Sequence, residues 1–235
     1  MNINSKIAIS GDRTMKVTRG GSLGKPVSVI AKLKEIVRDA LPFTNDEEVN
    51  RYRVRNFMNV MRGYRQIVFA KMFGVNHTYG ALYAKVIRGD GSVLNLGLIS
   101  LRVVTTAGVG FIVDAFQNSV EMENMKYHGF GIGTGAEASG DTALGTEFTT
   151  EYATDNVRPT GTTTEGASAN IYRTVGAFTP NSGGVLAVTE HGVFSQAAVA
   201  GGVLLDRSKF AAVNLDSANG DSLQVTYEAT FPAGS

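Results

Sequence analysis

The 235-residue chain contains no cysteine and no tryptophan. Without cysteine the protein cannot have a disulfide framework or thiolate chemistry, and the absence of cysteine is compatible with assembly inside a cell without establishing it. No apolar run approaches the roughly 18 residues that a membrane-spanning helix needs. The first residues are not followed by an apolar segment that would predict a signal peptide. We therefore expect neither an extracellular disulfide scaffold nor a membrane partner.

The charges are unevenly distributed along the chain. Residues 1–75 carry 14 lysines and arginines against 6 acidic residues, a net charge of +8. Residues 76–235 carry 8 against 15, a net charge of −7, and the two parts sum to the overall +1. This split predicts a basic segment that faces an acidic partner surface, such as the C-terminal part of another copy.

Residues 1–30 show no apolar period and are rich in small, polar and basic residues. This composition predicts an extended N-terminal arm that folds only against a partner. Lysine and arginine can also neutralise phosphates, but no aromatic residue is interleaved for base stacking, so nucleic acid is the less favoured partner. Lys25 precedes Pro26, so the nearby glycines lack the ending of a phosphate-binding loop.

Two helices are predicted after the arm. The first covers residues 28–40, where apolar residues recur at helical spacing. The second starts near Asn45, has acidic residues in its first turn and ends at Gly63. We interpret its arginines as an inter-subunit basic face, and a nucleic-acid helix is the alternative. These arginines are Arg51, Arg53, Arg55, Arg62 and Arg65.

From Gln66 the pattern changes to β structure. Strands are predicted over residues 67–70, 82–87 and 92–104, and Asp90-Gly91 predicts a hairpin turn. A short helix over residues 107–118 follows, capped by a threonine. Its apolar face consists of Val109, Ile112, Val113 and Phe116.

The C-terminal half contains several short β segments between turn-forming residues. They cover residues 169–175, 185–194, 204–207 and 210–213, and the alternating run 223–231 closes the series. The predicted fold is therefore mainly β: an antiparallel β-sandwich or barrel-like body with an extended N-terminal arm and two or three short helices. The expected division is residues 1–65 and 66–235, with a second candidate boundary near residue 126.

Residues 127–135 carry a glycine at every second position. On a strand these glycines would share one face, which another backbone or a large side chain could approach closely. A nucleotide-binding loop is the alternative, but no helix follows the run, as a dinucleotide motif requires. We predict a close-packing strand formed by Gly129, Gly131, Gly133 and Gly135. The other face, directed at the core, would carry His128, Phe130, Ile132 and Thr134.

The sequence offers no catalytic constellation. The chain has three histidines, His77, His128 and His191. None has a partner at metal-ligand spacing, and no Gly-x-Ser-x-Gly elbow leads directly into a predicted helix. Glu190 adjoins His191 on a predicted strand, so the two side chains point to opposite faces. Glu147, Glu151 and Asp155 recur every four residues, which is a weak calcium pattern without a glycine-containing loop. We predict no catalytic residue, no cofactor and no metal, and therefore not an enzyme.

Four segments of the chain resemble structural (virion) proteins of tailed bacteriophages. They are residues 123–135, 149–152, 188–195 and 204–208. The resemblance covers roughly residues 100–235 and implies a protein of the head, neck or tail, with no catalytic residues to transfer.

From this resemblance we expect a non-enzymatic subunit associated with the capsid, either a decoration or an accessory shell protein that locks neighbouring subunits. Its expected partners are copies of itself and other virion proteins, above all the major capsid protein. Its expected place is the virion, assembled in the host cytoplasm. The alternatives are a tail-tube or fibre-attachment subunit, or a receptor- or glycan-binding module that uses the loops at residues 135–141 and 161–169.

Overall fold

The computed structural model describes residues 44–75 and 77–232, and the predicted arm and first helix lie outside them. The described part contains two α-helices and eight strands, in the order α1 (Glu47–Met72), β1 (Tyr79–Ile87), β2 (Val93–Val103), α2 (Thr106–Phe116), β3 (Tyr127–Gly131), β4 (Thr162–Glu165), β5 (Ile171–Phe178), β6 (Val185–Phe194), β7 (Leu204–Asp216) and β8 (Ser222–Thr230). Short 3₁₀ turns cover Met122–Asn124 and Ser217–Asn219.

The strands form two antiparallel sheets that pack against each other. The larger has the order β2-β1-β8-β5-β4 and the smaller the order β3-β6-β7. The prediction of a mainly β, antiparallel sandwich-like body is therefore confirmed. The candidate boundary near residue 126 separates strands of one sheet, because β1 pairs with β8.

The core lies between the two sheets. Phe130 of the smaller sheet stacks on Phe178 of the larger, with ring centroids 4.9 Å apart. Strand β8 supplies alternate buried residues, as its sequence predicts: Leu223, Val225, Tyr227 and Ala229. The polar residues between them face the other side of the sheet, as the two-residue period of a strand requires.

Helix α1 begins where the sequence predicts but runs further. The Asp46 side chain caps it by accepting hydrogen bonds from the N–H groups of Glu48 (2.9 Å) and Val49 (3.1 Å). The helix does not end at Gly63 and continues to Met72, so the strand predicted over residues 67–70 is helical. Gly63 serves a different purpose: a Cβ there would overlap the carbonyl oxygen of Leu101 in β2. The boundary predicted at residue 65 therefore falls inside this helix.

Helix α1 covers one open side of the sandwich, between β2 and β7. The amide of Asn56 donates to the carbonyl oxygen of Ile99 in β2 (2.6 Å) and its oxygen accepts from the N–H of Ala211 in β7 (2.9 Å). One buried side chain thus satisfies backbone groups on the edges of both sheets. Covered edges cannot pair with another chain, which protects a β protein from aggregation.

The opposite side of the sandwich is closed by the chain between β3 and β5. The N–H of His128 donates to the carbonyl oxygen of Pro159 (2.9 Å), and the N–H of Gly161 donates to that of Lys126 (2.7 Å). The next residues form β4, which pairs with β5 of the larger sheet. One continuous stretch therefore joins the edges of both sheets.

Two local predictions need adjustment. Asp90-Gly91 does lie in the turn between β1 and β2, and Gly91 has the positive φ (84°) that such a turn requires. The connection is longer than a two-residue hairpin, because the strands end at Ile87 and resume at Val93. Residues 161–169 are not one loop, since β4 occupies part of them.

Candidate functional site: exposed helix faces on a charge-anchored body

The outward face of α1 carries four exposed apolar side chains, two toward each end, with Arg62, Arg65 and Gln66 exposed between them. Val54 is 58% exposed, Met58 71%, Phe69 64% and Met72 73%. The buried residues of the helix lie on the opposite face and pack on β2 and β7. Scattered exposed apolar residues are ordinary, but a stripe along about five turns of one helix is typical of an interaction surface.

Four of the five predicted arginines share this outward face. They are Arg51, Arg55, Arg62 and Arg65. Arg53 is not part of it and corrects the prediction: it is buried, and its guanidinium donates to the carbonyl oxygens of Leu96 (3.1 Å) and Asn95 (2.9 Å) in β2. Arg53 therefore fixes the helix to the body. The other four mix positive charge with the exposed apolar side chains, and Arg62 among them also lies 3.9 Å from the buried Glu137 carboxylate.

Helix α2 presents a second exposed apolar face. Of the four residues of its predicted apolar stripe, Ile112 packs against the core beside the buried Gly108 and Phe111, and the other three are exposed. Val109 is 49% exposed, Val113 46% and Phe116 83%. The acidic residues nearby, Asp114, Glu121 and Glu123, are also exposed.

A buried glutamate anchors the long connection between β3 and β4. Glu190 points away from the core of the sandwich, and its carboxylate accepts hydrogen bonds from the N–H groups of Gly133 (2.8 Å), Gly145 (2.9 Å) and Thr146 (2.7 Å). It also pairs with Arg207 of β7 at 2.8 Å. A buried carboxylate with this many donors is fully satisfied and holds the loop against the outer face of the smaller sheet.

Arg207 extends the same network. Its guanidinium also pairs with Asp141 at 3.0 Å, so the residue 135–141 turn is tied to β7. Burial alone would lower the pKa of Arg207, but its bonds to Asp141 and Glu190 raise that pKa above the ordinary value. Nearby, Glu137 accepts from Arg102 (2.8 Å) and from the N–H of Lys209 (2.7 Å). The predicted recognition turn is thus firmly held at two of its residues.

A second buried arginine closes the other end of the long connection. Arg158 makes a two-pronged contact with Glu147 (2.5 and 2.9 Å). It also donates to the carbonyl oxygens of Ala198 (2.9 Å) and Gly201 (2.8 Å), and it lies 3.5 Å over the ring of Phe194. Glu147 is therefore an arginine partner, which removes it from the calcium pattern predicted with Glu151 and Asp155.

The glycine run is only in part a strand, because β3 ends at Gly131. At Gly129 an added Cβ would lie 2.7 Å from the Phe194 ring, at Gly131 it would overlap the carbonyl oxygen of Thr146, and at Gly133 it would overlap the Glu190 carboxylate. At Gly135 nothing lies within 4 Å, so this residue is not part of the close packing.

The opposite face of the run also departs from the prediction. His128 and Phe130 are buried in the core, as expected for the inward side of β3. Ile132 and Thr134 are exposed, because the chain leaves the sheet after Gly131. The alternation therefore holds for only two of the four positions.

The structure brings two histidines together that the sequence treats as separate. Nδ1 of His128 and Nε2 of His191 share a hydrogen bond of 2.9 Å, and Nε2 of His128 contacts the Thr174 hydroxyl at 3.0 Å. Burial lowers the pKa of His128 to about 3, and burial with the nearby charge of His128 lowers the pKa of His191 well below its ordinary value. Both rings are neutral at ordinary pH and join β3 and β6 to β5.

A buried carboxyl lies further along the same inner face. Asp206 accepts a hydrogen bond from Ser208 (2.8 Å), and its other oxygen has no partner among the described residues. Burial raises the pKa of Asp206 to about 7, against the opposing effects of the Ser208 hydroxyl and of Arg102. Within the same described part, the hydroxyl of Tyr227 is also buried without a partner, and burial and the Asp206 charge raise its pKa well above the ordinary value.

These groups do not form an accessible reaction centre. Both core histidines, Asp206 and Glu190 are fully buried, so no substrate reaches them in this conformation. Within the described residues no group of three or more His, Asp or Glu side chains is placed to hold a metal ion. Nor does any helix there combine the length and apolar character needed to cross a membrane.

Comparisons with known proteins add no assignment: neither a protein-family model nor a curated protein matches the chain.

Sequence patterns missed the residues that anchor the loops. In the sequence Glu190 stands beside His191, Arg207 beside Asp206 and Arg158 between Val157 and Pro159, and none of these neighbours indicates a distant partner. One signal was available, since charged residues inside otherwise apolar strands are rarely buried without a partner. That signal indicates that Glu190 and Arg207 each need an oppositely charged or hydrogen-bonding partner, but it does not show that they are each other's partner.

Proposed function

We propose that this chain is a non-enzymatic structural subunit of a tailed-bacteriophage virion, attached to the capsid as a decoration or accessory shell protein. The observation that carries the proposal is the outward face of α1, where apolar side chains alternate with arginines on a rigidly anchored body. The resemblance of residues 100–235 to virion proteins supplies the biological context.

The physical argument starts from the cost of leaving this face in water. Burying a methionine, valine or phenylalanine side chain contributes about 1.5–3 kcal/mol before the cost of association is subtracted. Val54, Met58, Phe69 and Met72 therefore favour docking against another protein surface. The arginines among them add specificity, because buried interface centres are enriched in arginine and apolar residues.

The body suits a role as a passive scaffold. Its long connection between β3 and β4 is held by Glu190, Arg207 and Arg158, all buried and all hydrogen-bonded to backbone groups. Such a body presents its helices in a fixed orientation. Preorganised surfaces lose little conformational entropy on binding, which favours assembly into a shell.

The test is electron microscopy of purified particles that contain this chain. We expect its density on the capsid surface, with α1 turned toward a neighbouring subunit. Density in the tail would support the alternative tail-tube or fibre-attachment role. Absence of the chain from purified particles would overturn the virion proposal.

A variant pair tests the role of the helix face. Met58→Asp places a charge in the stripe and should block incorporation while leaving the melting temperature unchanged, because Met58 is 71% exposed. Val185→Asp is the matched control, since Val185 is 69% exposed but lies at the start of β6. Equal incorporation of both variants would contradict a docking role for α1.

A further inference from the structure

Helices α1 and α2 expose faces of similar apolar character and opposite charge. Helix α1 has Glu47 and Glu48 in its first turn, and Glu47 lies 3.9 Å from Arg51; from Val49 to Val75 the chain has four exposed arginines and Lys71 and no acidic residue. From residue 106 to residue 125 it contains three acidic residues and no lysine or arginine. Both faces are exposed in the described part of a single copy, so neither is occupied by the other.

We propose that the α1 face of one copy docks on the α2 face of a second copy. This inference rests on the proposed structural function and specifies one partner for it. The contact would bring Val109, Val113 and Phe116 of one copy onto the apolar stripe of the other. The exposed carboxylates of Asp114, Glu121 and Glu123 would then face the arginines of α1.

Charge decides between this pairing and the symmetrical alternative. If two α1 helices met face to face, Arg51, Arg55, Arg62 and Arg65 of both copies would be brought together. Like charges in an interface oppose association and select against the wrong partner, whereas complementary charges accelerate encounter and set the register. The oppositely charged α2 face is therefore the favoured occupant.

The α2 face is short enough to lie along the α1 face. The apolar stripe on α1 runs from Val54 to Met72, which at 1.5 Å per residue is about 27 Å. The stripe on α2 runs from Val109 to Phe116, about 10 Å by the same measure. Helices pack at axial distances of about 8–10 Å. The shorter α2 can therefore lie along α1 with its three apolar side chains covered.

A charge-swap experiment on the full chain tests the contact. One variant carries Arg51→Glu and Arg55→Glu, and the other carries Glu121→Lys and Glu123→Lys. Each alone should associate at least about tenfold more weakly than the parent in sedimentation velocity, because its reversed face repels the natural face of the next copy. An equimolar mixture should recover association, since the two reversed faces are complementary and so are the two natural ones.

Cysteine cross-linking gives an independent test, because the parent chain has no cysteine. Met58→Cys and Val113→Cys proteins, mixed and oxidised, should give a disulfide-linked dimer that contains one chain of each kind. Cross-links only between like chains would overturn the proposed pairing. A monomeric parent at high concentration, with no recovery in the charge-swap mixture, would overturn it as well.

The experiments distinguish a failure of the proposed contact from a failure of the proposed virion role. If the chain is found on virions but does not self-associate, another protein occupies α1, so the inference fails and the virion role stands. If the charge-swap mixture recovers association but the chain is absent from virions, the contact stands and the virion role fails. A monomeric Met58→Cys variant whose thiol resists thiol reagents would show that the chain covers its own α1 face, which also overturns the inference.

Discussion

Replacing Gly131 with alanine tests how the glycine run is used. An alanine Cβ at this position would overlap the carbonyl oxygen of Thr146 and lie 2.8 Å from a carboxylate oxygen of Glu190. The Thr146 segment cannot move freely. Its N–H donates to Glu190 (2.7 Å), and its carbonyl oxygen accepts from the N–H of Ile132 (3.0 Å). Relief of the overlap therefore requires breaking at least one of these hydrogen bonds.

The expected cost follows from these contacts. Overpacking a well-packed site costs about 1–3 kcal/mol, and a lost hydrogen bond to a charged group costs about 1.5–3 kcal/mol. The two penalties do not add in full, because breaking the hydrogen bond relieves the overlap. Alanine also stabilises by about 0.4–1 kcal/mol through the unfolded chain. We expect Gly131→Ala to lower the free energy of unfolding by about 2 kcal/mol, a fall in melting temperature of about 4–8 °C.

Thermal melting by circular dichroism measures this loss, and Gly135→Ala is the matched control. Gly135 belongs to the same run, has no atom within 4 Å of an added Cβ and, like Gly131, has no positive φ. Its variant should melt at the parent temperature or slightly above. If the Gly131→Ala variant has the same melting temperature as the Gly135→Ala variant, the close-packing argument is wrong. A nucleotide-binding loop would instead predict unchanged melting and lost nucleotide binding.

Three further substitutions test other buried groups. Glu190→Gln should cost about 2–4 kcal/mol, because an amide nitrogen cannot accept the hydrogen bonds that one carboxylate oxygen accepts from Gly145 and Arg207, although Arg207 keeps Asp141 as a charged partner. Asn56→Leu should cost about 2–4 kcal/mol, since two buried backbone groups on opposite sheet edges lose their hydrogen bonds. Asp206→Asn should raise the melting temperature at pH 8 and have less effect at pH 5. A buried carboxyl with a folded pKa of about 7 is neutral below that pH and becomes a buried charge above it.

Each of these substitutions has its own control. Glu165→Gln, at an exposed position in β4, should leave the free energy of unfolding in urea unchanged. If Glu190→Gln changes that free energy no more than Glu165→Gln does, the anchoring role of Glu190 is contradicted. Gln66 lies on the exposed side of α1, so Gln66→Leu should not show the loss of unfolding free energy that is predicted for Asn56→Leu. The Asp206 argument fails if the melting difference between variant and parent does not grow from pH 5 to pH 8, or if the exposed Asp155→Asn behaves in the same way.

The core histidines predict a loss of stability in acid. The unfolded chain binds a proton at each histidine near pH 6.5, whereas folded His128 binds one only near pH 3. Between these values the unfolded state holds more protons, so stability falls as pH falls, by about 1.4 kcal/mol per pH unit for each histidine. Between about pH 7 and pH 4 Asp206 has the opposite effect on stability, because the folded state keeps a proton there that the unfolded state has lost, and this cancels the effect of one histidine. The slope should therefore steepen below pH 4, and a flat profile in urea unfolding would contradict the neutral pair.

The sequence predicted the features that depend on neighbouring residues better than those that depend on contacts between distant segments. The start of α1 near Asn45, the threonine cap of α2 and the turn at Asp90-Gly91 depend on neighbouring residues, and the sequence predicts each of them. The helical extension beyond Gly63 is not predicted, because glycine usually ends a helix. Here the helix continues, because the absent side chain lets it approach β2.

The exposed face of α2 shows a second limit. Periodicity predicted an amphipathic helix but not which side would be buried. The side with Gly108 faces the body, where a Cβ would lie 2.8 Å from the backbone of Leu205, so the smallest residue determines the approach. Phe111 on that side is buried, whereas Val109, Val113 and Phe116 remain exposed, which an apolar period alone would not predict.

By itself the sequence determined the β character of this protein, the alternation of β8 and the basic character of α1. These properties depend on side-chain period and local composition, which a single chain segment carries. Only the tertiary structure joined His128 to His191 and Glu190 to Arg207. Such pairs depend on strand register between segments that are distant in sequence, and a shift of one residue would turn each side chain to the opposite face.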